Sequence, residues 1–248
     1  MQVLHGSFPQ ESVPGKPTPM PEWLAAADNP AVPFSPPKPM QTAGLRNKDI
    51  DALVSALGRN PGLGKRLPRL LQWLHDCDHA FDARLCTTFI SAYMRSGSPV
   101  LGVELFHWML VQSRVNQALC PTVHTYMAAM RAASAAEAFS QVNQIWKLAQ
   151  ESHVSTDARL TSVYMGALFK VKKHSQVLQL FENLRARSPQ ATPQAYVLAM
   201  RSMTKTGCPE AALELWNGLQ TTDAFVPRTS LSFPPHAACF MIFQHLTV

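Results

Sequence analysis

Residues 158–192 read ARLTSVYMGALFKVKKHSQVLQLFENLRARSPQAT. Thr161, Tyr164, Met165 and Leu168 fall at i, i+3, i+4 and i+7, and Val177, Leu180, Phe181 and Leu184 repeat the spacing. Side chains at those offsets share one face of an α-helix. The stretch therefore predicts two amphipathic helices joined by a short basic turn, each with one apolar stripe.

The template recurs at a constant step. Val142, Ile145, Trp146 and Ala149 lie 35 residues before the second stripe, and Ala212, Leu215, Trp216 and Leu219 lie 35 after it. Tyr126, Ala129, Met130 and Ala133 precede the first stripe by 35, and Tyr196, Ala199, Met200 and Met203 follow it by 35. A fixed period in this range marks a solenoid whose units bury their stripes by stacking on neighbours. The expected fold is all-α, a right-handed solenoid of helix-turn-helix repeats of about 35 residues.

Working outward, the units run at about 47–82, 83–122, 123–157, 158–192 and 193–227, with a partial unit at 235–248. In the first, Ile50, Leu53, Val54 and Leu57 form one stripe and Leu67, Leu70, Leu71 and Leu74 the next, separated by GRNPGLGKRLP, read as a long turn. The second carries Cys86, Phe89, Ile90 and Tyr93, then Gly102, Leu105, Phe106 and Met109. Its stripes begin 40 residues before those of the third unit, and the five extra residues are placed in the loop SRVNQALCPT. Ala238, Met241, Ile242 and His245 suggest a further first helix without a partner, the pattern expected of a fragment. Upstream, ten of the 20 prolines fall before residue 40, and residues 1–46 read as an extended, mostly disordered tail.

That tail is neutral, with Lys16, Lys38 and Arg46 against Glu11, Glu22 and Asp28, so the net charge of +6 belongs to residues 47–248. A basic helical part implies an anionic partner such as nucleic acid. No run of 18 apolar residues exists, so no transmembrane helix and no membrane partner are expected. The five cysteines lack a CxxC pair, which argues against a zinc ribbon or a disulfide framework. In His75-Asp76-Cys77-Asp78-His79 the two histidines would face one metal if the helix ran that far, or would complement a helix C-terminus; no metal site is assigned. No phosphate loop, GxSxG, HExxH, or HxE with CxxC occurs, so neither an enzyme nor a cofactor is expected.

The repeats resemble the pentatricopeptide repeat family in the 35-residue period, the first-helix aromatics Tyr126 and Tyr196, the turns Arg95-Ser96-Gly97 and Lys205-Thr206-Gly207, the segments AALELW and QVLQLF, and the endings CPT and STD, similar to the family's KPD. The tetratricopeptide repeat has period 34 and a small residue where this chain puts Ile90, Met130, Met165 and Met200. The resemblance, over residues 47–248, implies a concave face of first helices that binds single-stranded RNA, usually in a mitochondrion or chloroplast, with other RNA-processing or ribosomal proteins as further partners. It also implies base-facing residues after the first-helix aromatic, here Asp51, Thr87, Met127, Ser162 and Val197, and at the close of each repeat, here Asp82, Thr122, Asp157, Thr192 and Pro227. Met127 and Val197 bring no hydrogen-bonding group, a departure from the family pattern. Implied stacking positions hold Arg84, His124, Arg159 and Gln194; the same side chains also read as solvated first-turn residues. Implied phosphate contacts are Arg95, Lys170 and Lys205, extended by Arg131, Lys172, Lys173 and Arg201; cations there would also complement helix dipoles. Trp146 and Trp216 fall on the second-helix stripe with Phe106 and Phe181 and read as packing residues.

The function expected from this resemblance is an RNA-binding adaptor in transcript processing, stability, editing or translation. The alternative is a helical scaffold, for example ribosome-associated, that binds protein without reading RNA sequence.

Overall fold

The computed structural model describes residues 46–152, 157–187 and 191–221. The expected tail at 1–45, the closing position Pro227 and the partial unit at 235–248 lie outside them. Every regular element among the described residues is helical. The chain divides into two compact units at Ala136 and Glu137.

The first unit comprises α1 (Asn47–Arg59), α2 (Pro61–Gly64), α3 (Leu67–Asp76), α4 (Ala83–Arg95), α5 (Pro99–Gln112), a 3₁₀ turn (Gln117–Leu119) and α6 (Val123–Ala135). Helix α4 packs against its pair α5 and against the first helices on either side, α1 and α6. The core lies at these junctions, where Leu71, Leu74, Leu85, Phe89, Tyr93 and Phe106 are fully buried. Gly58 makes the α1–α4 crossing close: a Cβ there would meet the Ala92 Cα at 2.7 Å. The second unit comprises α7 (Phe139–Glu151), α8 (Ala158–Lys170), α9 (His174–Arg187), α10 (Pro193–Lys205) and α11 (Pro209–Thr221). There α10 packs on α8, α9 and α11, and the cluster Met165, Leu168, Val177, Phe181, Leu184, Ala195 and Ala199 is buried between them. Trp146 lies flat on Tyr164, with centroids 4.5 Å apart and planes 7° apart, and the Tyr164 hydroxyl donates to Asn143 at 3.0 Å. Trp146 is thus a packing residue, as its place on the stripe predicts.

The helix bounds keep the sequence period, since α6, α8 and α10 are each 13 residues long and start at Val123, Ala158 and Pro193. Local chemistry sets both ends. The N-caps are Asp82, Thr122, Asp157 and Thr192, whose side-chain oxygens accept from backbone N–H groups of the first turn. At the other end the chain reverses through one left-handed residue, Gly97 (φ +83°), Glu137 (+57°), Lys172 (+59°) or Gly207 (+82°). After α4, α8 and α10 this residue is followed by a backbone N–H that reaches back to the carbonyls of Tyr93, Leu168 and Met203, the C-terminal closure that a left-handed residue permits.

Three expectations need correction. Leu53, assigned to the first stripe, is 48% exposed; α1 instead buries Ile50, Asp51, Val54 and Gly58, because the close crossing at Gly58 turns that edge toward α4. The segment read as a long turn holds α2, started by Pro61 and capped by the Asn60 side chain, which accepts from Gly62 at 3.1 Å. The five-residue insertion is more than loop. Its 3₁₀ turn drives Leu119, 4% exposed, into a cluster with Cys86 and Met109 that Phe81 and Trp108 flank.

Candidate functional site

The residues singled out by resemblance sit on first helices and at their caps. All four closing positions among the described residues, Asp82, Thr122, Asp157 and Thr192, are N-caps. Their oxygens therefore already have backbone partners: Asp82 accepts from the Leu85 N–H at 2.7 Å and Asp157 from that of Arg159 at 2.7 Å. Asn47 donates to Asp82 at 2.8 Å, while His79 Nε2 lies 2.6 Å from the Asn47 amide oxygen. Since α3 ends at Asp76, His79 does not share a helix face with His75. Among the described residues no three His, Cys, Asp or Glu side chains gather as a metal site.

The post-aromatic positions divide into two kinds. Asp51 and Ser162 are buried, at 8% and 2% exposure, and Thr87 is half-buried. Each is joined to the following first helix or its cap. Asp51 pairs with Arg84 at 3.0 Å, which leaves its other oxygen buried without a partner. Thr87 meets Thr125 at 2.8 Å, and Ser162 meets Thr192. Proton accounting orders the threonine relay. The Thr122 N–H donates to Thr125 Oγ1 at 3.1 Å and Thr87 donates to the Ala83 carbonyl at 2.6 Å, so Thr125 must donate to Thr87. The other relay runs the same way: the Ala195 N–H donates to Thr192, Thr192 to Ser162, and Ser162 to the Ala158 carbonyl at 2.7 Å. Met127 is half-buried and Val197 is 46% exposed.

Of the stacking candidates, Arg84 and Arg159 are held by carboxylates. Arg159 lies 2.8 Å from Asp157, and its guanidinium holds that carboxyl below the usual range. His124 and Gln194 are exposed on the first turns of α6 and α10. The phosphate candidates Arg95, Lys170 and Lys205 are the last residues of α4, α8 and α10, and all three are exposed. Arg131, Lys172 and Lys173 are exposed as well, and Arg201 lies over the Phe169 ring at 4.7 Å. In the second unit the exposed cations Lys170, Lys172, Lys173 and Lys205 thus belong to the helix ends and turns that follow α8 and α10.

Sequence reading missed Thr125 and Asn47. Thr125 sits three residues after Thr122, the capping-box spacing, and that is the signal by which it was legible. Asn47 gave no signal, because its partners Asp82 and His79 are 35 and 32 residues away.

No described helix is long and apolar enough to cross a membrane. No protein-family model matches the chain, and no curated protein matches it significantly.

Proposed function

We propose that the chain is an RNA-binding adaptor of the pentatricopeptide type, a right-handed solenoid that holds single-stranded organellar RNA by its backbone for transcript processing, stability, editing or translation. The observation that carries this reading is the recurrence of an exposed cation at the end of a first helix, Arg95, Lys170 and Lys205, in register with the repeat and interrupted at α6, which ends on Ala135. A cation repeated at the spacing of the fold is suited to a polymer of evenly spaced phosphates. Stacking by His124 and Gln194, both exposed, would add sequence-tolerant contacts.

A second reading, a scaffold that binds protein partners such as ribosomal or RNA-processing proteins, is favoured by the relays. Hydroxyls and carboxylates at the post-aromatic and closing positions already bond within the protein, and a base edge gains little from groups whose hydrogen bonds are taken.

The experiment is binding of the full chain to a random single-stranded RNA pool across a salt series. Under the adaptor reading, binding weakens linearly on logarithmic axes, and replacing Arg95, Lys170 and Lys205 together by alanine lowers the slope by about 2, at ~0.7 per phosphate contact on a single strand. Absence of retained RNA at low salt would discard the adaptor and leave the scaffold.

A further inference from the structure

Leu53 breaks the burial pattern of its repeat position. The side chains that hold the same stripe position one, two and four repeats on, Phe89, Ala129 and Ala199, are fully buried and Tyr164, three repeats on, is half-buried under Trp146, whereas Leu53 is 48% exposed. Ala52 and Ala56 beside it on α1 are exposed too, and Leu57 is only half-buried. The later first helices α4, α6 and α10 have a preceding first helix packed against them: α1 on α4, α4 on α6, and α8 on α10. No described element precedes α1. Its outward face is therefore an apolar strip at the place where the repeat geometry seats a neighbour.

We propose that residues 21–29, PEWLAAADN, cover this face of α1 and take the place of the missing neighbour. Three observations select that segment from residues 1–45. First, Pro21 and Pro30 bracket eight residues free of proline, and Trp23, Leu24 and Ala27 fall at i, i+1 and i+4, on one side of two helical turns. Pro21 and Glu22 suit a helix start, since proline fits the first position and an acid complements the dipole. Trp23 is the single tryptophan of residues 1–45, and an indole removes more apolar area from water than most side chains. Second, the charges are complementary. Glu22 and Asp28 flank the apolar run, while Lys48 and Arg59 are exposed on α1, and Lys65 and Arg66 on the turn after α2. The acidic Asp49 of α1 is already paired, with Arg46 at 3.1 Å. Third, the tether reaches. Residues 30–45 extend up to about 50 Å at ~3.1 Å per residue, while Leu53 lies about 9 Å along the helix from Asn47.

The proposal does not depend on RNA binding. It is tested by hydrogen exchange on the full chain, followed by mass spectrometry of peptides. The amides of residues 22–29 are expected to exchange at least tenfold more slowly than those of 9–20 and 31–42. Leu53→Asp and, separately, Trp23→Ser should each erase that protection while leaving α4 and α5 unchanged. Glu22→Lys with Asp28→Lys should speed exchange of the segment about threefold. Since Leu53 is half-exposed, Leu53→Asp leaves the buried core intact, and Trp23→Ser touches no described residue's core. Exchange of 22–29 as fast as its flanks overturns the proposal. Protection that survives Leu53→Asp overturns it as well, because the segment would then sit elsewhere.

Discussion

Lys172 and Glu137 occupy, after α8 and α6, the left-handed turn position that Gly97 and Gly207 fill after α4 and α10. A side chain with a Cβ costs roughly 1–2 kcal/mol in that conformation relative to glycine. Part of this is offset by the greater freedom of glycine in the unfolded chain. Lys172→Gly is therefore expected to raise stability by about 1 kcal/mol, read as a higher urea midpoint. The same change removes one exposed cation, so under the adaptor reading it also weakens RNA binding and lowers the salt slope by ~0.7. Glu137→Gly is the matched control. It should stabilise similarly and leave RNA affinity no weaker, and a Lys172→Gly protein that gains stability without losing RNA affinity would remove Lys172 from the interface.

Among the elements, α5 carries the clearest dependence on pH. Burial pushes His107 below its ordinary range, and the same burial pushes Glu104, one turn earlier, above its own. His79, which follows α3, is also lowered by burial, an effect that Asp82 opposes. A histidine whose folded value is depressed favours the neutral form in the fold. Its contribution is complete above the ordinary histidine range and is lost as pH falls through the lowered folded value. The thermal midpoint should accordingly fall between pH 7.5 and pH 5, and His107→Gln should shallow that decline without abolishing it, because His79 remains. Glu104 acts with the opposite sign: as its carboxyl is neutralised in acid, its burial becomes less costly, so Glu104→Gln should stabilise the protein most at neutral pH. Unfolding curves at a series of pH values check both signs.

Elements also show what was legible beforehand. The stripes Cys86, Phe89, Ile90, Tyr93 and Gly102, Leu105, Phe106, Met109 were readable because helical spacing alone selects them, and all eight are buried. Leu53 was misread because the spacing identifies an apolar face but says nothing of whether a neighbour exists to cover it. Leu119 was missed because a lone leucine in a loop has no period. The candidate site was less legible than the fold. Ser162 and Thr192 lie 30 residues apart, and their hydroxyl contact follows from how α8 meets the cap of α10, which no local pattern encodes.

For the molecule as a whole, the core is unevenly shared. Of the largest fully buried side chains among the described residues, Phe181 belongs to the second unit, and the rest, including Tyr93, Phe89, Phe106 and Leu71, belong to the first. At the far end, α11 buries only Ala212 among its described side chains. Local opening is easiest where little apolar surface is buried. Backbone amides should therefore exchange slowest in α4 and α5 and fastest in α11, a gradient that hydrogen exchange resolves peptide by peptide. Equal protection in α5 and α11 would contradict it.

Laying Trp146 flat on Tyr164 also couples two chromophores across the junction of α7 and α8. Light absorbed by the phenol passes to the indole at this range, and the parallel rings give the folded chain a near-ultraviolet dichroism that separated helices lack. Loss of that pair's contribution marks the parting of α7 from α8.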